Sequence, residues 1–298
     1  MLGTGSTVLI TGINGFTGRY MRAELVAAGY RVVGLGTHAD LGEDYIRVDL
    51  LDSAALSSAL RQLQPDIVVH LAAIAFVGHR DANAFYQVNL QGSRNLLEAI
   101  VAMGKQPDSV LLASSANVYG NVSEGVLGED TPPAPANDYA VSKLAMEYVA
   151  SLYKNKLPIV ISRPFNYTGV GQGDSFLIPK IVSHFRAGAS TIELGNLDVC
   201  RDFGDVRSVV RAYRCLLEAP LAQGQIINVC TGRTHSLREV IDMCEKITNH
   251  SITVVVNPAF VRQNEVKTLC GDAGRLRSLI DQWNVIPLEE TLRWMLTT

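Results

Sequence analysis

Short apolar runs rich in β-branched residues alternate with amphipathic stretches through the first half of the chain. The apolar runs predict strands at residues 7–10, 31–35, 45–48, 66–71, 109–113 and 158–162. The amphipathic stretches predict helices at residues 17–28, 53–62, 84–103 and 138–153. Strands that are apolar on both faces, such as the run around Val68, are typical of a parallel sheet covered by helices on both sides. The pattern therefore predicts an α/β fold with a doubly wound parallel sheet.

The amino-acid composition of the sequence changes after Pro164. Glycine and proline are denser from residue 169 to residue 204, after which helical patterns return at residues 206–217, 237–248 and 288–296. We expect a first domain over residues 1–163 and a smaller mixed α/β domain over residues 164–298. The segment 205–230 is expected to rejoin the sheet of the first domain.

Composition and charge exclude several classes of protein. Of the 298 residues, 47% are hydrophobic and 18% are charged, which describes a folded globular chain rather than a disordered one. Lys and Arg together number 26, and Asp and Glu together number 29, so the net charge is −3. This balance provides no basic surface for a nucleic acid and no polybasic patch for a membrane.

The cysteines and the longest apolar run bear on metals and on location. None of the five cysteines forms a CxxC pair or a Cys/His cluster with metal spacing, so we expect buried thiols, no metal and no disulfide framework. The longest apolar run, residues 67–77, falls short of the roughly 20 residues that a membrane helix needs. The first residues lack the basic region of a signal peptide. We therefore expect a soluble protein of the cytoplasm.

Three glycines at GxxGxxG spacing follow the first predicted strand and open the first predicted helix. Glycine allows the tight turn and lets backbone N–H groups approach a pyrophosphate, and a helix N-terminus favours the anion. This arrangement predicts a dinucleotide site of the Rossmann type, with a purely structural glycine turn as the alternative. Its residues would be Gly12, Asn14, Gly15, Phe16, Thr17 and Gly18.

The end of the second predicted strand bears on which dinucleotide binds. The acidic residue that holds a free ribose 2′-hydroxyl is expected about 20 residues after the loop. Here that place reads LGTH from Leu35, with no carboxylate before Asp40. Because no acid stands there to repel a 2′-phosphate and Arg19 could neutralise one, NADP(H) is favoured. NAD(H) is the alternative, in which Asp40 turns back towards the ribose.

A carboxylate also ends the third predicted strand. Asp49, with Leu50 beside it, could accept a hydrogen bond from the adenine amino group. An N-cap role at the start of the following helix is the competing interpretation of Asp49.

A phenol and an ammonium stand four residues apart in the predicted helix 138–153, so Tyr139 and Lys143 share one helix face. A phenol with its ordinary pKa of about 10 is a poor acid–base catalyst at neutral pH. A lysine one turn away, together with an oxidised nicotinamide, is expected to lower that pKa. Ser115 follows the strand 109–113, at the edge where a parallel sheet presents its ligands. A hydroxyl there can hold a substrate oxygen beside the phenol.

With several further motifs, these residues resemble the extended short-chain dehydrogenase/reductase superfamily. The motifs run through most of the chain: the glycine loop 11–18, VHLAA at 69–73, Asn89 in VNL, SANVYG at 115–120, Tyr139 with Lys143, RPFN at 163–166 and RDF at 201–203. The resemblance implies a catalytic set of Ser115, Tyr139 and Lys143, with Asn89 extending the proton relay. It also implies that Tyr139 and Lys143 bind the cofactor together with Leu71, Ala72, Ala73 and Pro164.

For members of the superfamily that act on nucleotide sugars, the resemblance implies that Asn166 and Arg201 lie near the diphosphate of the substrate. A second arginine comes from the C-terminal part of the chain, and Arg262 is the candidate. Two arginines can each fork onto paired phosphate oxygens, and a surface salt bridge is the alternative for each. Lys180 is expected near the pocket for the nucleotide base, whose identity the sequence does not indicate.

The residues after the catalytic hydroxyl bear on the reaction. Related dehydratases place an acidic residue there, whereas this chain has Ala116 and Asn117, neither of which can act as an acid or base. A 4,6-dehydratase is therefore disfavoured. The stretches 163–176, 198–205 and 228–232 are most similar to the GDP-4-keto-6-deoxy-mannose reductases. That similarity implies reduction of GDP-4-keto-6-deoxy-D-mannose to GDP-D-rhamnose.

Two other functions stay open at this point. A nucleotide-sugar 4-epimerase needs the same hydroxyl, phenol and ammonium and keeps NAD tightly bound. A non-catalytic regulatory protein that binds a dinucleotide is the alternative from another class. The helix patterns 84–103 and 138–153 resemble those that pair across a two-fold axis in this superfamily, which implies a homodimer.

Overall fold

The computed structural model describes residues 5–38, 42, 44–78, 81–121, 125–260, 266–281 and 283–298. The strands are, in chain order, β1 (Thr7–Thr11), β2 (Arg31–Gly36), β3 (Tyr45–Arg47), β4 (Ile67–His70), β5 (Ser109–Ala113), β6 (Gly125–Leu127), β7 (Ile159–Pro164), β8 (Asn166–Thr168), β9 (Thr191–Leu194), β10 (Cys200–Asp205), β11 (Ile226–Val229), β12 (Thr234–Ser236), β13 (Thr253–Val256) and β14 (Thr268–Gly271). The helices are α1 (Phe16–Ala27), α2 (Ser53–Leu63), α3 (Ala82–Phe85), α4 (Ser93–Ala102), α5 (Asp138–Ser151), α6 (Leu177–Arg186), α7 (Val206–Leu217), α8 (Leu237–Thr248), α9 (Gly274–Leu279) and α10 (Leu288–Thr297). A π-helical turn (Tyr86–Gly92) joins α3 to α4, and 3₁₀ turns lie at Ala116–Tyr119, Pro220–Ala222 and Pro258–Phe260. Over the ranges given above, no helix is long and apolar enough to cross a bilayer.

Parallel strands form the large sheet, in the order β11-β7-β5-β4-β1-β2-β3. The chain adds β2 and β3 on one side of β1 and then adds β4, β5 and β7 on the other side, so the winding reverses between β1 and β4. Sheets of this kind bind ligands at that reversal, beyond the carboxyl ends of the strands. The predicted doubly wound parallel sheet is confirmed, and its edge strand β11 comes from the second half of the chain.

Helices cover both faces of this sheet. In β1, Val8 and Ile10 are buried in the core that contains Met21 of α1 and Tyr213 of α7. Leu9 points to the opposite face, into the core formed with α2, α4 and α5. Because both faces are buried, every position of these strands favours an apolar side chain, which explains the unbroken apolar runs in the sequence.

A smaller lobe contains the remaining strands. Strand β10 pairs with β8, β12 and β14, β14 pairs with β6, and β9 pairs with β13. Helices α6, α8 and α10 pack together in a core that includes Ile181, Val240 and Leu292. We propose residues 1–163 and 164–298 as the two domains, with 205–230 joining the first. This division rests on where β7 ends and where β11 pairs, and β6 is the strand of 1–163 that pairs into the smaller lobe.

The predicted helix 84–103 is present as a continuous helical segment over residues 82–102, but it is not α-helical throughout. It divides into α3, the π-helical turn and α4, and Asn89 lies within the π-helical turn. The Ser93 hydroxyl donates to the Asn89 carbonyl at 2.6 Å, so this carbonyl has a side-chain partner at the widened turn. Such turns are rare inside helices and occur frequently at functional sites.

Asp202 joins strands of the smaller lobe from a fully buried position on β10. Its carboxylate accepts hydrogen bonds from the Thr231 backbone N–H at 3.0 Å, the Thr231 hydroxyl at 2.7 Å and the Gly232 N–H at 2.9 Å. Burial raises the pKa of Asp202, and these donors oppose that rise. A single side chain thus accepts from several buried donors and holds the turn between β11 and β12 against β10.

We expect Asp202→Ala to lower the free energy of unfolding by about 3 kcal/mol, because it leaves these buried donors without an acceptor. Denaturant unfolding measures the change. The matched control is Asp198→Ala, which removes an exposed carboxylate of the same lobe whose ion pair with Arg238 spans 3.3 Å. The control should stay within about 0.5 kcal/mol of the parent. Equal unfolding midpoints for the two variants would contradict this assignment.

Candidate active site

A cavity of about 470 Å³ opens beyond the carboxyl ends of the central strands of the large sheet. The start of α1, the ends of β4, β5 and β7, helix α5 and the start of α6 all contribute to its lining. Most of the residues predicted from sequence therefore meet at one place. Those that line the cavity are Gly15, Phe16, Thr17, Gly18, Leu71, Ala73, Ser115, Tyr139, Lys143, Pro164 and Asn166.

The glycine loop is packed too closely for side chains. Gly12 has φ +73°, and a Cβ there would lie 2.7 Å from the Ala72 backbone nitrogen. A Cβ on Gly18 would lie 2.2 Å from the Gly12 carbonyl oxygen. Gly15 precedes α1 with extended backbone and provides no side-chain cap, so the first N–H groups of the helix stay available to an anion at the cavity. The loop thus fits the pyrophosphate of a dinucleotide.

Ser115, Tyr139 and Lys143 are buried side by side at the cavity wall. Ser115 begins the 3₁₀ turn after β5, and its hydroxyl accepts from the Asn117 N–H at 3.1 Å. Asn137 starts α5 by accepting from the Ala140 N–H at 2.9 Å, which places Tyr139 and Lys143 one turn apart on the buried face. The Lys143 ammonium donates to the Ala113 carbonyl at 2.7 Å, so it is anchored at the end of β5.

Burial sets the charges of these groups. It raises the pKa of Tyr139 to about 12, with the hydrogen bond from Ser115 opposing the rise. In the chain by itself this pKa is thus raised, because desolvation of the phenolate outweighs the hydrogen bond from Ser115. The expected lowering, which includes the charge of an oxidised nicotinamide, stays a prediction. Burial also lowers the pKa of Lys143 to about 8, with the charge of Glu147 opposing it. Near neutral pH the phenol is protonated and the ammonium keeps its charge, which suits proton donation to a carbonyl oxygen.

Asn89 lies behind this group rather than in the cavity lining. It is fully buried, and its side-chain oxygen accepts from the Ile74 N–H at 2.9 Å, while its side-chain nitrogen donates to the Ile74 carbonyl at 3.1 Å and to Ser142 at 3.0 Å. These bonds fix the segment that follows β4. A part for Asn89 in a proton relay stays a prediction.

His70 connects the glycine loop to Asn89. Its two ring nitrogens lie 2.7 Å from the Thr11 hydroxyl and 2.8 Å from the Ser93 hydroxyl. Because Ser93 gives its proton to the Asn89 carbonyl, Nε2 of His70 must donate to Ser93, and Nδ1 accepts from Thr11. Burial lowers the pKa of His70 to about 3, so the ring is neutral and holds this single tautomer.

Other predicted cofactor residues lie outside the cavity lining. The Asp49 carboxylate accepts from the Leu51 N–H at 2.9 Å. The N-cap of α2 is Asp52, which accepts from the Ala55 N–H at 3.0 Å, so the N-cap interpretation of Asp49 is wrong. The remaining predicted residues of this group are half-buried (Asn14), exposed on α1 (Arg19), buried (Leu50), packed against the glycine loop (Ala72) or outside the described residues (Asp40).

The predicted substrate cations contact other parts of the smaller lobe. The Lys180 ammonium donates to the Glu193 carbonyl at 2.7 Å and lies 4.6 Å from the centre of the Phe260 ring. Arg201 donates to the Cys200 carbonyl at 2.9 Å. Neither side chain lines the cavity, whereas Asn166 does and donates to the Asp202 carbonyl at 3.4 Å. Arg262 lies outside the described residues.

Three further aromatic residues line the cavity: Phe176, in the stretch 176–179 that the sequence places with Lys180 near the pocket for the base, and Phe76 and Tyr167, which sequence reasoning missed. Phe76 and Phe176 meet edge to face across its lining, with ring centres 6.1 Å apart, and both are partly exposed. Tyr167 pairs its hydroxyl with that of Thr17 at 2.8 Å and stacks on Phe16. Isolated aromatic residues carry no local signal, because these contacts join segments about 100 to 150 residues apart in the chain. In the parts of the chain that the structure describes, no group of carboxylate, imidazole and thiol side chains could hold a metal ion.

Comparison with known proteins gives concordant matches in sequence. The sequence model of the family described as GDP-mannose 4,6 dehydratase matches residues 9–295. The GDP-6-deoxy-D-talose 4-dehydrogenase of Aggregatibacter actinomycetemcomitans is 34% identical over 276 residues, which cover 92% of this chain and 90% of that protein. The GDP-6-deoxy-D-mannose reductase of Pseudomonas aeruginosa is 35% identical over an alignment of 301 positions, gaps included, which covers 97% of this chain and 96% of that protein.

Solved structures match as well. A Burkholderia cenocepacia J2315 protein described as a "putative epimerase" is 50% identical with a TM-score of 0.93, over 99% of this chain and 98% of that one. The structure of RMD from Pseudomonas aeruginosa complexed with NADPH is 33% identical with a TM-score of 0.86, over 99% of this chain and 97% of that one. The glycine loop of this chain therefore lies in a fold that holds a nicotinamide dinucleotide in a relative.

We expect Gly18→Ala to weaken NADPH binding by about tenfold or more, because its Cβ would collide with the Gly12 carbonyl and the Ile13 backbone and so displace the loop. Quenching or enhancement of NADPH fluorescence gives the Kd, and thermal unfolding checks that the variant is folded. Gly128→Ala is the matched control, because a Cβ there meets no atom within 4 Å. A folded Gly18→Ala variant with an unchanged Kd would show that the loop does not hold the cofactor.

Proposed function

Because this chain belongs to the GDP-mannose 4,6-dehydratase family of the short-chain dehydrogenase/reductases, we propose that it is an NAD(P)H-dependent 4-ketoreductase of a nucleotide-linked 4-keto-6-deoxyhexose. The substrate we assign is GDP-4-keto-6-deoxy-D-mannose, and the product is GDP-D-rhamnose, which is GDP-6-deoxy-D-mannose. The observation that carries the proposal is the buried set of Ser115, Tyr139 and Lys143, which shares one cavity with the glycine loop. A cytoplasmic location for this reaction stays a prediction.

Each residue of this set has a distinct task in the reduction. The reduced nicotinamide, when bound, supplies a hydride to carbon 4 of the keto sugar. Tyr139 donates its proton to the carbonyl oxygen; burial, which raises the pKa of the phenol to about 12, keeps that proton in place before the transfer. Ser115 donates a hydrogen bond to that same oxygen and orients it beside the phenol. Lys143 holds the nicotinamide ribose and stabilises the negative charge that Tyr139 carries after the transfer.

Two residues favour reduction over the elimination of water that gives the family its name. Elimination from a sugar requires an acid or base next to the catalytic hydroxyl. Ala116 is apolar, and Asn117, which lines the cavity, carries an amide that neither donates nor accepts a proton at neutral pH. The site therefore lacks the group that elimination needs at these two positions.

The cofactor and the configuration at carbon 4 are finer points of the same proposal. We assign NADP(H), because the end of β2 brings no carboxylate and the Pseudomonas structure named above contains NADPH. NAD(H) is the alternative that accompanies a 4-epimerase. The two curated relatives are named for 6-deoxy-talose and 6-deoxy-mannose, which differ only in the configuration at carbon 4. GDP-6-deoxy-D-talose is therefore the alternative product.

Substrate recognition is the next part of the proposal. We propose that Asn166, Arg201 and Arg262 bind the nucleotide diphosphate and that Lys180 lies near the nucleotide base. Asn166 lines the cavity, which supports its part directly. Lys180 and Arg201 contact residues on the two sides of the segment that contains Arg262, through the Phe260 ring and the Lys267 carbonyl. A diphosphate bound against these cations would gain bidentate hydrogen bonds from the arginines.

The exposed faces of α4 and α5 support a homodimer. Val141 and Tyr148 of α5 are 37% and 66% exposed, Leu152 directly after α5 is 68% exposed, and Val101 of α4 is 40% exposed. Residues 141, 148 and 152 recur at helical spacing, so they form one apolar stripe. We propose that this stripe packs against its copy across a two-fold axis.

The first prediction on activity concerns Tyr139. Purified protein should oxidise NADPH, followed by its absorbance, when it meets GDP-4-keto-6-deoxy-D-mannose made in place from GDP-mannose by a separate dehydratase. Tyr139→Phe should lower kcat by about 10²–10⁴ while the Kd for NADPH is kept, because only the proton donor is lost. Tyr148→Phe, an exposed tyrosine on the same helix, is the matched control and should leave kcat unchanged.

The outcomes separate the alternatives. Near-normal turnover of Tyr139→Phe would overturn the assignment of the proton donor. NMR of the product distinguishes GDP-D-rhamnose from GDP-6-deoxy-D-talose by the coupling of the proton on carbon 4. Tightly bound NAD in the purified protein, together with no oxidation of NADPH, would favour the 4-epimerase. Absence of turnover with any nucleotide-linked keto sugar would favour the non-catalytic dinucleotide-binding protein.

A second prediction concerns assembly. Tyr148→Asp should convert the dimer to a monomer, because it places a charge in the centre of the apolar stripe. Sedimentation velocity measures the mass. Leu221→Asp is the matched control, since Leu221 is 77% exposed but lies on a 3₁₀ turn away from α4 and α5. A parent protein that sediments as a monomer, or a Tyr148→Asp variant that remains a dimer, would refute this interface.

A further inference from the structure

Glu147 is a buried carboxylate that the reaction above does not use. Its side chain is 5% exposed and that of its partner Arg163 is 3% exposed. Arg163 donates to the two carboxylate oxygens from Nε at 2.9 Å and from Nη2 at 2.6 Å, and the Ser114 hydroxyl donates to the same carboxylate. Burying an ion pair is costly in desolvation and is weak evidence for stability. The pair therefore calls for an explanation in the site itself.

The Glu147 carboxylate and its two donor residues, Ser114 and Arg163, join the segments that carry the site. Glu147 lies on α5, one turn after Lys143 on the same face. Ser114 immediately precedes Ser115 at the end of β5, and Arg163 immediately precedes Pro164 at the end of β7. One carboxylate thus holds the ends of two strands against the helix that carries the phenol and the ammonium.

The carboxylate also opposes the desolvation of Lys143. Burial lowers the pKa of this ammonium to about 8, and the negative charge of Glu147 raises it. The other groups that face this region are Tyr139 on the same helix, neutral His70 from β4 and cationic Arg163 from β7. Arg163 is in turn stacked on the Tyr119 ring, 4.9 Å from its centre. None of these other groups is negatively charged near neutral pH, so among the groups named here the negative charge beside Lys143 comes from Glu147.

We propose that Glu147, held by Arg163, is a positioning residue that keeps the Lys143 ammonium protonated and aligned with Ser115 during the reduction. The inference rests on the proposed 4-ketoreductase function and deepens it. It assigns a task to a buried ion pair that forms no part of the contact with the substrate or the cofactor.

The test is the pH dependence of kcat/KM for NADPH oxidation in the presence of the keto sugar. Reduction needs the charged lysine, so its rate falls as the pH rises through the pKa of Lys143. Glu147→Gln keeps the shape of the side chain and removes the charge, so the alkaline limb should move to lower pH by about one unit. Arg163→Met leaves the negative charge of Glu147 without its partner. The alkaline limb is therefore expected to move to higher pH and not to lower pH.

Two further variants separate charge from structure. Glu98→Gln, the matched control, removes an exposed carboxylate on α4 and should leave the limb where it is. Glu147→Asp keeps the charge and shortens the side chain, so it should lower kcat without moving the limb; this variant keeps the inference testable where Glu147→Gln fails to fold. Glu147→Gln and Arg163→Met variants that both lose kcat with the limb unmoved would show a purely structural pair. That result would overturn the inference.

A second readout distinguishes failure of this inference from failure of the proposed function. This readout is the Kd for NADPH alone, which can be measured without the sugar. Fluorescence gives the Kd from about pH 6 to about 9.5, a range that brackets the pKa of about 8 of Lys143. In Glu147→Gln the loss of NADPH affinity at alkaline pH should begin about one pH unit lower than in the parent. Parent protein that reduces no keto sugar but shows this shift would refute only the function. Parent protein that reduces the sugar while the variant shows no shift would refute only the inference.

Discussion

The close contact between the backbones that follow β1 and β4 is the constraint on which the rest of the structure depends. Gly12 lies so near Ala72 that no side chain fits between them, and this contact occurs where the winding of the sheet reverses. The crevice that results places the start of α1 opposite the ends of β5 and β7. The neutral ring of His70 continues the contact towards the π-helical turn through the hydroxyls of Thr11 and Ser93.

Burial of charged and titratable groups is the second constraint, and it follows from the first. The helix α5 packs against the ends of the strands so tightly that both Tyr139 and Lys143 are more than nine-tenths buried at the cavity wall. Desolvation then moves the two pKa values in opposite directions, upward for the phenol and downward for the ammonium. Burial keeps the phenol protonated before the transfer but also makes it a weaker acid, so the transfer relies on the charged lysine to stabilise the phenolate. The buried lysine in turn needs a nearby negative charge to keep its proton. This asymmetry gives a chemical reason for a carboxylate at position 147.

The sequence predicted the first half of the fold well because its signals are local. Apolar runs and helical periodicity place the strands and helices of the large sheet within a few residues of their observed bounds, and glycine spacing identifies the loop. In the second half of the chain the helices at 206–217, 237–248 and 288–296 were predicted to within a residue. The strands of the smaller lobe were not predicted, because strands such as β8 and β12 are three residues long and pair only with distant segments. The side chains of Lys180 and Arg201 have partners that sequence spacing cannot indicate. The side chain of Asn89 in the π-helical turn likewise bonds to Ile74 and Ser142, which lie outside its helix and which sequence spacing does not indicate.

The family is named for a dehydratase, which eliminates water, whereas the site of this chain supports a reduction at carbon 4. The residues after Ser115 explain how one fold can serve both reactions. Oxidation or reduction at carbon 4 needs the hydroxyl, the phenol, the ammonium and a dinucleotide, all of which the sheet positions at one edge. Elimination needs in addition an acid or base within reach of the neighbouring carbons. The 3₁₀ turn that begins at Ser115 is where such a group would stand, and here Ala116 is buried in an apolar cluster while the Asn117 N–H serves the Ser115 hydroxyl. A buried position packed with Val118 and Tyr119 gives little room for a solvated carboxylate. Packing therefore disfavours an acid at position 116. Position 117 is exposed and lines the cavity, so there it is the amide in place of a carboxylate that disfavours elimination, in agreement with the reduction proposed above.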